Sequence, residues 1–396
     1  MKDTIFQLPT KLYFGRDNLK YLAREIKKYS NRILLTYGMN SIKKIGLYDE
    51  VVNILKENDI YFVELGGIKP NPEVSTIRKG VELINKHNLT FILAVGGGSV
   101  LDNSKHMAIS QAANKDIWYL AEHYQEINKV SGLIKIGSIM TISATGSEMN
   151  NGGVLTNPET NDKVGIGHRE AYPVFSFLNP DFLITLPQHQ RVAGVCDTFS
   201  HLLEWYFSSH QDEGFADRYI EALMINVLKY AKTYINNNED YEANSQIMIS
   251  ATFALNGISA IGKKAGDWNT HALEHQLSAL TDFTHGTGLA LIHPQVLNTY
   301  LNKDIDENKS LVKFINIGKN VFHLDIKDDT ELAIKTCLKI KETFDYWLDN
   351  KNKLSDYQVV FNYDNCVNKL VDDGYLTGEY QDLTKNDISK IYEEIA

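Results

Sequence analysis

The chain lacks any apolar run long enough for a bilayer. Nothing in its 396 residues approaches eighteen uninterrupted apolar positions, and the opening MKDTIFQLPTKLYFG has no apolar core of a secretory signal. Membrane insertion and secretion are therefore not expected. Cysteine is scarce. Cys196, Cys337 and Cys366 are widely separated, so neither a disulfide framework nor a Cys-x-x-Cys pair is on offer, and a reducing cytoplasm is the expected compartment. Basic runs beyond short pairs are also missing, and the formal charge is −10, which argues against a nucleic-acid partner. What the chain has is apolar mass: 43% hydrophobic residues over this length can bury large cores and point to two domains.

The two halves differ in period. Up to about residue 185, short β-branched runs alternate with amphipathic stretches: RILLTYG, IGLYDEVVNILKEN, YFVELGG, EVSTIRKGVELINKHN and FILAVGGG. That is βαβαβ, which implies a parallel sheet covered by helices. After TLPQHQRVAGV the alternation stops and long helical patterns follow, among them GFADRYIEALMINVLKYAKTYINN, YEANSQIMISATFALNGISAIG, ELAIKTCLKIKETFDYWLDN and ISKIYEEIA. This half is expected to be all helix.

FILAVGGGSVLDNSK reads as strand, glycine turn, helix. Gly96, Gly97 and Gly98 allow close approach of backbone to a ligand, and Ser99 is a good N-cap, so the free amides of the helix can receive a pyrophosphate. The pattern is neither GxGxxG nor a P-loop. TISATGSEMNNGG adds hydroxyls at Thr141, Ser143, Thr145 and Ser147, with Glu148 able to cap a helix start, and by itself reads as a loop.

Asp197 and His201 lie four apart in GVCDTFSHLLEWY, and His271, His275 and His285 lie in NTHALEHQLSALTDFTHGTGLA. On a helix, i and i+4 side chains leave one face about 6 Å apart, so a carboxylate and an imidazole at that spacing can grip one ion. His271 and His275 repeat the spacing. His285 follows His271 by 285 − 271 = 14 residues, a rise of about 21 Å in an unbroken helix. The chain must turn between them, and Thr281, Asp282, Phe283 and Thr284, with Gly286 and Gly288 beyond, supply capping and turn residues. Spacing alone leaves both His275 and His285 open as ligands. Mixed Asp and His ligation without thiolate suits Zn²⁺ or Fe²⁺ and argues against a structural zinc site.

These residues resemble the iron-containing, or group III, alcohol dehydrogenases, in particular their NADPH-dependent butanol dehydrogenase and broad aldehyde reductase branch. The resemblance begins at KLYFG and runs to about residue 300 through YGMNSIKKIGLYDEV, GGIKPNPE, AVGGGSVLDNSK, TISATGSEMN, DTFSH and HALEHQLSALTDFTHG, in that order. It implies a dinucleotide-binding α/β domain of dehydroquinate-synthase type over residues 1–185 and an all-helical metal-binding and catalytic domain over 186–396. It implies Asp197, His201, His271 and His285 as ligands of the divalent metal, with His275 beside the nicotinamide as the catalytic residue. Gly96, Gly97, Gly98 and Ser99 match its pyrophosphate loop, Asp102 and Lys105 the acid and lysine that follow, and Thr141 and Ser143 its cofactor contacts. Asn103 and Ser104 depart from the small or apolar residue usual before that lysine. A homodimer is implied too, pairing N-terminal strands such as that in IFQLPTKLYFG.

The chemistry expected of these parts is hydride transfer. The ion polarises an aldehyde carbonyl as hydride arrives from the nicotinamide, and His275 supplies the proton or orients the cofactor. An NAD-selective site commonly places an acid after the second strand to meet the ribose 2′-hydroxyl. This chain has Gly38, Met39, Asn40 and Ser41 there, so NADP(H) is expected, with Ser41, Lys43 or Lys44, and more weakly Lys163, meeting the 2′-phosphate. Asn151, Leu155, Leu186 and His275 are the expected pocket lining, which suits short and medium aldehydes or primary alcohols such as butanal and butanol. The alternatives are a glycerol-type dehydrogenase or a dehydroquinate-synthase-like lyase; the phosphorylated substrate of such a lyase would need extra cations, for which Lys263, Lys264 and His293 are candidates.

Overall fold

The computed structural model describes residues 1–160, 162–372, 374–376 and 378–396. Among the described residues eight strands occur in chain order: β1 (Lys11–Phe14), β2 (Arg32–Tyr37), β3 (Tyr61–Leu65), β4 (Phe91–Gly96), β5 (Lys135–Met140), β6 (Gly152–Asn157), β7 (Asp162–Gly167) and β8 (Phe175–Leu178). Six of them form a wholly parallel sheet in the order β1-β8-β5-β4-β2-β3. All six residues of β4, FILAVG, are buried, the unbroken apolar run that a parallel strand covered on both faces demands. Helix α1 (Leu47–Glu57) carries Leu47, Val51 and Leu55 at i, i+4 and i+8, and that stripe packs with Ile33, Leu35, Phe91, Leu93, Phe175 and Phe177 in one core. Each such side chain contributes about 1.5–3 kcal/mol by leaving water. Helices α2 (Val74–His87) and α3 (Gly98–Ala113) complete the βαβ units. The βαβαβ reading of residues 32–96 thus matches the elements formed.

The pattern-based reading missed the antiparallel β6–β7 hairpin. GGVLTN and DKVGIG are glycine-rich and lack clean alternation, so local propensity does not mark them as strands. They are held instead from α3. The Val154 amide donates to Asp102 Oδ2 at 3.0 Å, and Lys105 Nζ donates to the Gly152 carbonyl at 2.7 Å.

The second half is helical, as expected: α4 (Gln188–Tyr206), α5 (Phe215–Asn236), α6 (Tyr241–Ala254), α7 (Asn269–Thr281), α8 (His285–Asp306), α9 (Asp329–Trp347) and α10 (Lys385–Ile395), with shorter helices such as Val312–Asn320 and Asp364–Asp372 between. The pattern from Tyr241 suggests a helix reaching Gly262, but α6 stops at Ala254, and Gly257 takes a left-handed φ of 90°. By its contacts the chain forms two units. One comprises Gln7–Pro187 and Asn237–Thr252, the other Met1–Phe6, Gln188–Asn236 and Phe253–Ala396. A cut at 185 is therefore approximate in this fold: the six N-terminal residues group with the helical unit, and most of α6 groups with the sheet.

Candidate active site

In the helical unit, α4 brings Asp197 and His201 to one face, α7 brings His271, and the first residue of α8 is His285. The break between α7 and α8 falls where capping residues were expected, with Asp282 left-handed at φ 54° and Thr284 as the N-cap. Gly286 and Gly288 are not part of that turn. They lie in the first turn of α8, where a Cβ on Gly286 would strike the Ala193 carbonyl of α4 and one on Gly288 would press on the Glu274 side chain. Glycine at 286 is what lets α8 approach α4 closely enough to bring His285 to Asp197.

Three imidazoles converge on one carboxylate oxygen. Asp197 Oδ1 lies 3.5 Å from His201 Nε2, 3.7 Å from His285 Nε2 and 4.0 Å from His271 Nε2. Donors on a tetrahedron with bonds of about 2.1 Å are about 3.4 Å apart, so the set is close to the dimensions of a metal site. Asp197 Oδ1 is buried and has no hydrogen-bond partner among the described residues. An uncompensated buried carboxylate oxygen is costly, and a cation among these four atoms removes that cost. Burial lowers the His201 pKa to about 4, outweighing the opposing pull of Asp197, so its ring is neutral at pH 7 and able to ligate.

The far nitrogens of two of these rings are held as well. His271 Nδ1 is 2.9 Å from Glu204 Oε1, which also accepts the His271 amide at 3.0 Å, and His285 Nδ1 is paired with Glu274 Oε2. Neither glutamate was singled out from the sequence, although Glu274 lies inside HALEHQ. Burial pushes the Glu204 carboxyl up to about 8; a cation across the His271 ring acts in the opposite sense. His275 is half-buried beside this group, its ring 5.5 Å from that of His285 and 6.2 Å from that of His271. Glu274, His275 and His285 form a second close cluster of donor atoms.

In the sheet unit the strand order reverses at β2, which has β3 on one side and β4 on the other. Ligands of open parallel sheets bind outside the carboxyl ends of the strands at such a reversal. Gly38 follows β2 at that point, while Gly96 ends β4 and Gly97, Gly98 and Ser99 come directly after it. Gly97, not Ser99, is the N-cap of α3; Ser99 lies within its first turn, because the helix begins at Gly98. A Cβ on Gly97 would meet Ile142 and one on Gly98 would meet Thr145, so the glycines also admit the segment after β5 against the loop. The Thr141 amide donates to the Gly96 carbonyl at 2.9 Å, and the buried Ser143 Oγ has no partner among the described residues.

Asp102 and Lys105 turn inward. Asp102 accepts from Ser147 Oγ at 2.7 Å and from the Val154 amide. Lys105 Nζ lies within 2.8 Å of the Ser147 carbonyl and hydroxyl, Asn150 Oδ1 and the Gly152 carbonyl. Ser104 bonds Thr36 Oγ1 of β2 at 2.8 Å, and Asn103 bonds back to the Ser99 carbonyl, so the departures from the usual loop pattern are absorbed in packing. Glu148 caps no helix: it is buried and accepts from Thr252. Lys163, the weaker candidate for the 2′-phosphate, is 4% exposed within β7. Ser41 begins the short helix Ser41–Lys44 and is exposed, and Lys43 Nζ sits 4.9 Å above the Tyr48 ring. Leu155 is wholly buried in β6 and lines no open pocket.

Comparison with known proteins identifies the family. The model of the iron-containing alcohol dehydrogenases matches residues 9–180, and that of the C-terminal part of the Fe-containing alcohol dehydrogenase family matches residues 191–396. The chain belongs to the iron-containing alcohol dehydrogenase family. NADH-dependent butanol dehydrogenase A of Clostridium acetobutylicum is 40% identical over 340 residues, 86% of this chain and 85% of its own. NADPH-dependent aldehyde reductase YqhD of Escherichia coli is 32% identical over 97% of both chains. Among solved structures, NADH-dependent butanol dehydrogenase A of Thermotoga maritima matches with a TM-score of 0.90 at 33% identity, over 100% of this chain and 99% of that one. The fold of this family, a parallel-sheet domain followed by a helical one, is the fold described above.

The cations considered for a phosphorylated substrate are committed elsewhere. Lys263 has no exposed side chain and pairs with Asp217 at 2.9 Å and with Glu213, while Lys264 pairs with Glu379 at the surface. His293 is buried and stacks on Phe344.

Proposed function

We propose that this chain interconverts short- and medium-chain aldehydes with primary alcohols, butanal and butanol among them, using NADP(H) and a divalent metal held by Asp197, His201, His271 and His285. The convergence of three imidazole nitrogens on the unpartnered Asp197 Oδ1 carries this reading. A divalent ion there supplies Lewis acidity toward a carbonyl oxygen. One oxygen and three nitrogens suit either Fe²⁺ or Zn²⁺, and Fe²⁺ accepts the extra ligand a substrate adds more readily. The free amides at the start of α3, with the glycine loop at the β2/β4 reversal, favour a pyrophosphate. His275, next to the ligand group, gives or relays the proton that the reduced oxygen needs. A His275→Ala variant whose rate against pH keeps the wild-type profile would remove it from that path.

Relatives divide over the nucleotide, the clostridial enzyme being NADH-dependent and the Escherichia coli one NADPH-dependent. NADP(H) is favoured here because no carboxylate follows β2, and Ser41, Lys43 and Lys44 are exposed there. The commitment of Lys263 to acidic partners favours an unphosphorylated substrate over that of a dehydroquinate-synthase-like lyase or a glycerol-phosphate enzyme. Cytoplasmic work suits three free, buried cysteines, and no helix among the described residues is long and apolar enough to cross a membrane. A homodimer joined through β1 suits its place at the sheet edge, and sedimentation would test it. Loss of absorbance at 340 nm with NADPH and butanal, abolished by chelator and restored by anaerobic Fe²⁺ or by Zn²⁺, is the expected result. No turnover of butanal with any metal would overturn the reading.

A further inference from the structure

Two buried carboxylates stand behind the candidate ligand histidines. Glu274 is fully buried on α7, one turn after His271, and its Oε2 pairs with His285 Nδ1. Glu204 is fully buried on α4, one turn after His201 in the order Asp197, His201, Glu204, and its Oε1 lies 2.9 Å from His271 Nδ1. In both rings Nε2, not Nδ1, faces Asp197. The approach of α8 is matched to this arrangement, since a Cβ on Gly288 would lie 3.0 Å from Glu274 Cγ. A buried carboxylate is costly unless it accepts from a donor held in place, and each of these meets the one ring nitrogen that the ligand group leaves unused.

We propose that Glu274 and Glu204 are positioning residues of the metal centre, each accepting the Nδ1–H of one ligand histidine and so fixing the tautomer that presents Nε2 to the ion. This rests on the metal reading above and deepens it. A carboxylate behind an imidazole makes that ring a stronger donor and restrains its rotation, so the two glutamates favour retention of the ion. They also bring negative charge to a set that already contains Asp197. The centre therefore trades some Lewis acidity for tight holding.

The test uses full-length protein stripped with chelator and titrated with Co²⁺, whose visible d–d absorption reports the coordination directly. Glu274→Ala is expected to bind Co²⁺ about 10–100-fold more weakly than wild type, with a shifted spectrum. Glu274→Gln keeps an acceptor and the side-chain volume but not the charge, so its affinity is expected to fall between the two while its metal-free melting temperature matches wild type. Should the alanine variant fail to fold, the glutamine variant gives the reading alone. Wild-type affinity and spectrum in Glu274→Gln and, where it folds, Glu274→Ala would overturn the positioning role and leave the metal site standing. A wild-type protein that takes up no Co²⁺ would overturn the metal reading and this inference with it.

Discussion

At the scale of single residues, position 286 depends on having no side chain at all. The first turn of α8 lies against α4, and the space a Cβ would fill at Gly286 is taken by the Ala193 carbonyl. Backbone cannot swing aside as a side-chain tip can, so Gly286→Ala forces the two helices apart, a strain of about 1–3 kcal/mol or somewhat more. The same displacement carries His285 away from Asp197, which lies one helical turn beyond Ala193. The expected outcome is a lower melting temperature together with loss of bound metal after dialysis. A variant that melts lower yet keeps a full equivalent of metal would show that the close approach serves packing alone. Glu204 and Glu274 escaped the sequence reading for a related reason. A glutamate at helical spacing is usually a solvated surface group, and only the burial of these two, with a histidine nitrogen against each, sets them apart.

Among elements, the attachment of β1 to the helix Leu22–Lys27 is electrostatic at its outer end. Glu25 accepts from Tyr13 Oη at 2.6 Å, Lys28 Nζ at 2.6 Å and Lys11 Nζ at 3.1 Å. Burial would raise its pKa, but the hydrogen bonds from Lys28, Tyr13 and Lys11 outweigh it and hold the carboxyl at about 2, below its usual 4.5. A carboxyl depressed on folding stabilises the fold fully above its unfolded pKa, and that stabilisation is lost as pH falls from about 4.5 toward 2. The melting-temperature gap between wild type and Glu25→Gln is therefore expected to be widest near neutral pH and to close across that interval. A gap that stays constant down to pH 2 would refute the ion-pair account. The β6–β7 hairpin has a comparable anchor in Asp102 and Lys105, which hold strands whose own sequence would not.

Across the whole molecule, the proposed preference for NADP(H) rests on charge rather than shape. With Gly38, Met39, Asn40 and Ser41 after β2 there is no acid in that stretch to repel a 2′-phosphate, and Lys43 and Lys44 lie within reach of the same edge. Lys43 stands over the Tyr37 and Tyr48 rings, whose hydroxyls both donate to Glu64 Oε2. NADPH is expected to exceed NADH in kcat/KM by at least about tenfold, the ratio that 1.4 kcal/mol of discrimination gives. Replacing Lys43 and Lys44 together by Ala should narrow the ratio, mainly through KM for NADPH. Equal kcat/KM for the two nucleotides in the wild type would defeat the preference.

Periodicity, composition and spacing by themselves determined the order of strands and helices from Arg32 to Gly96, the change to helices near residue 185, the turn before His285 and the donor types of the candidate metal set. These are local properties: a period of 2 or 3.6, a capping residue, an i,i+4 pair, each legible within a dozen residues. Tertiary structure decided the rest. Only the folding of α7 and α8 against α4 sorts the histidines, bringing His201, His271 and His285 within 4.0 Å of Asp197 Oδ1 and leaving His275 to one side. Only burial shows that Lys163 and Lys263, candidate phosphate contacts by sequence, are interior cations, and that Leu155 belongs to the core and not to a pocket wall. Distances between segments seventy residues apart are set by how whole faces pack, and no window of sequence contains both faces.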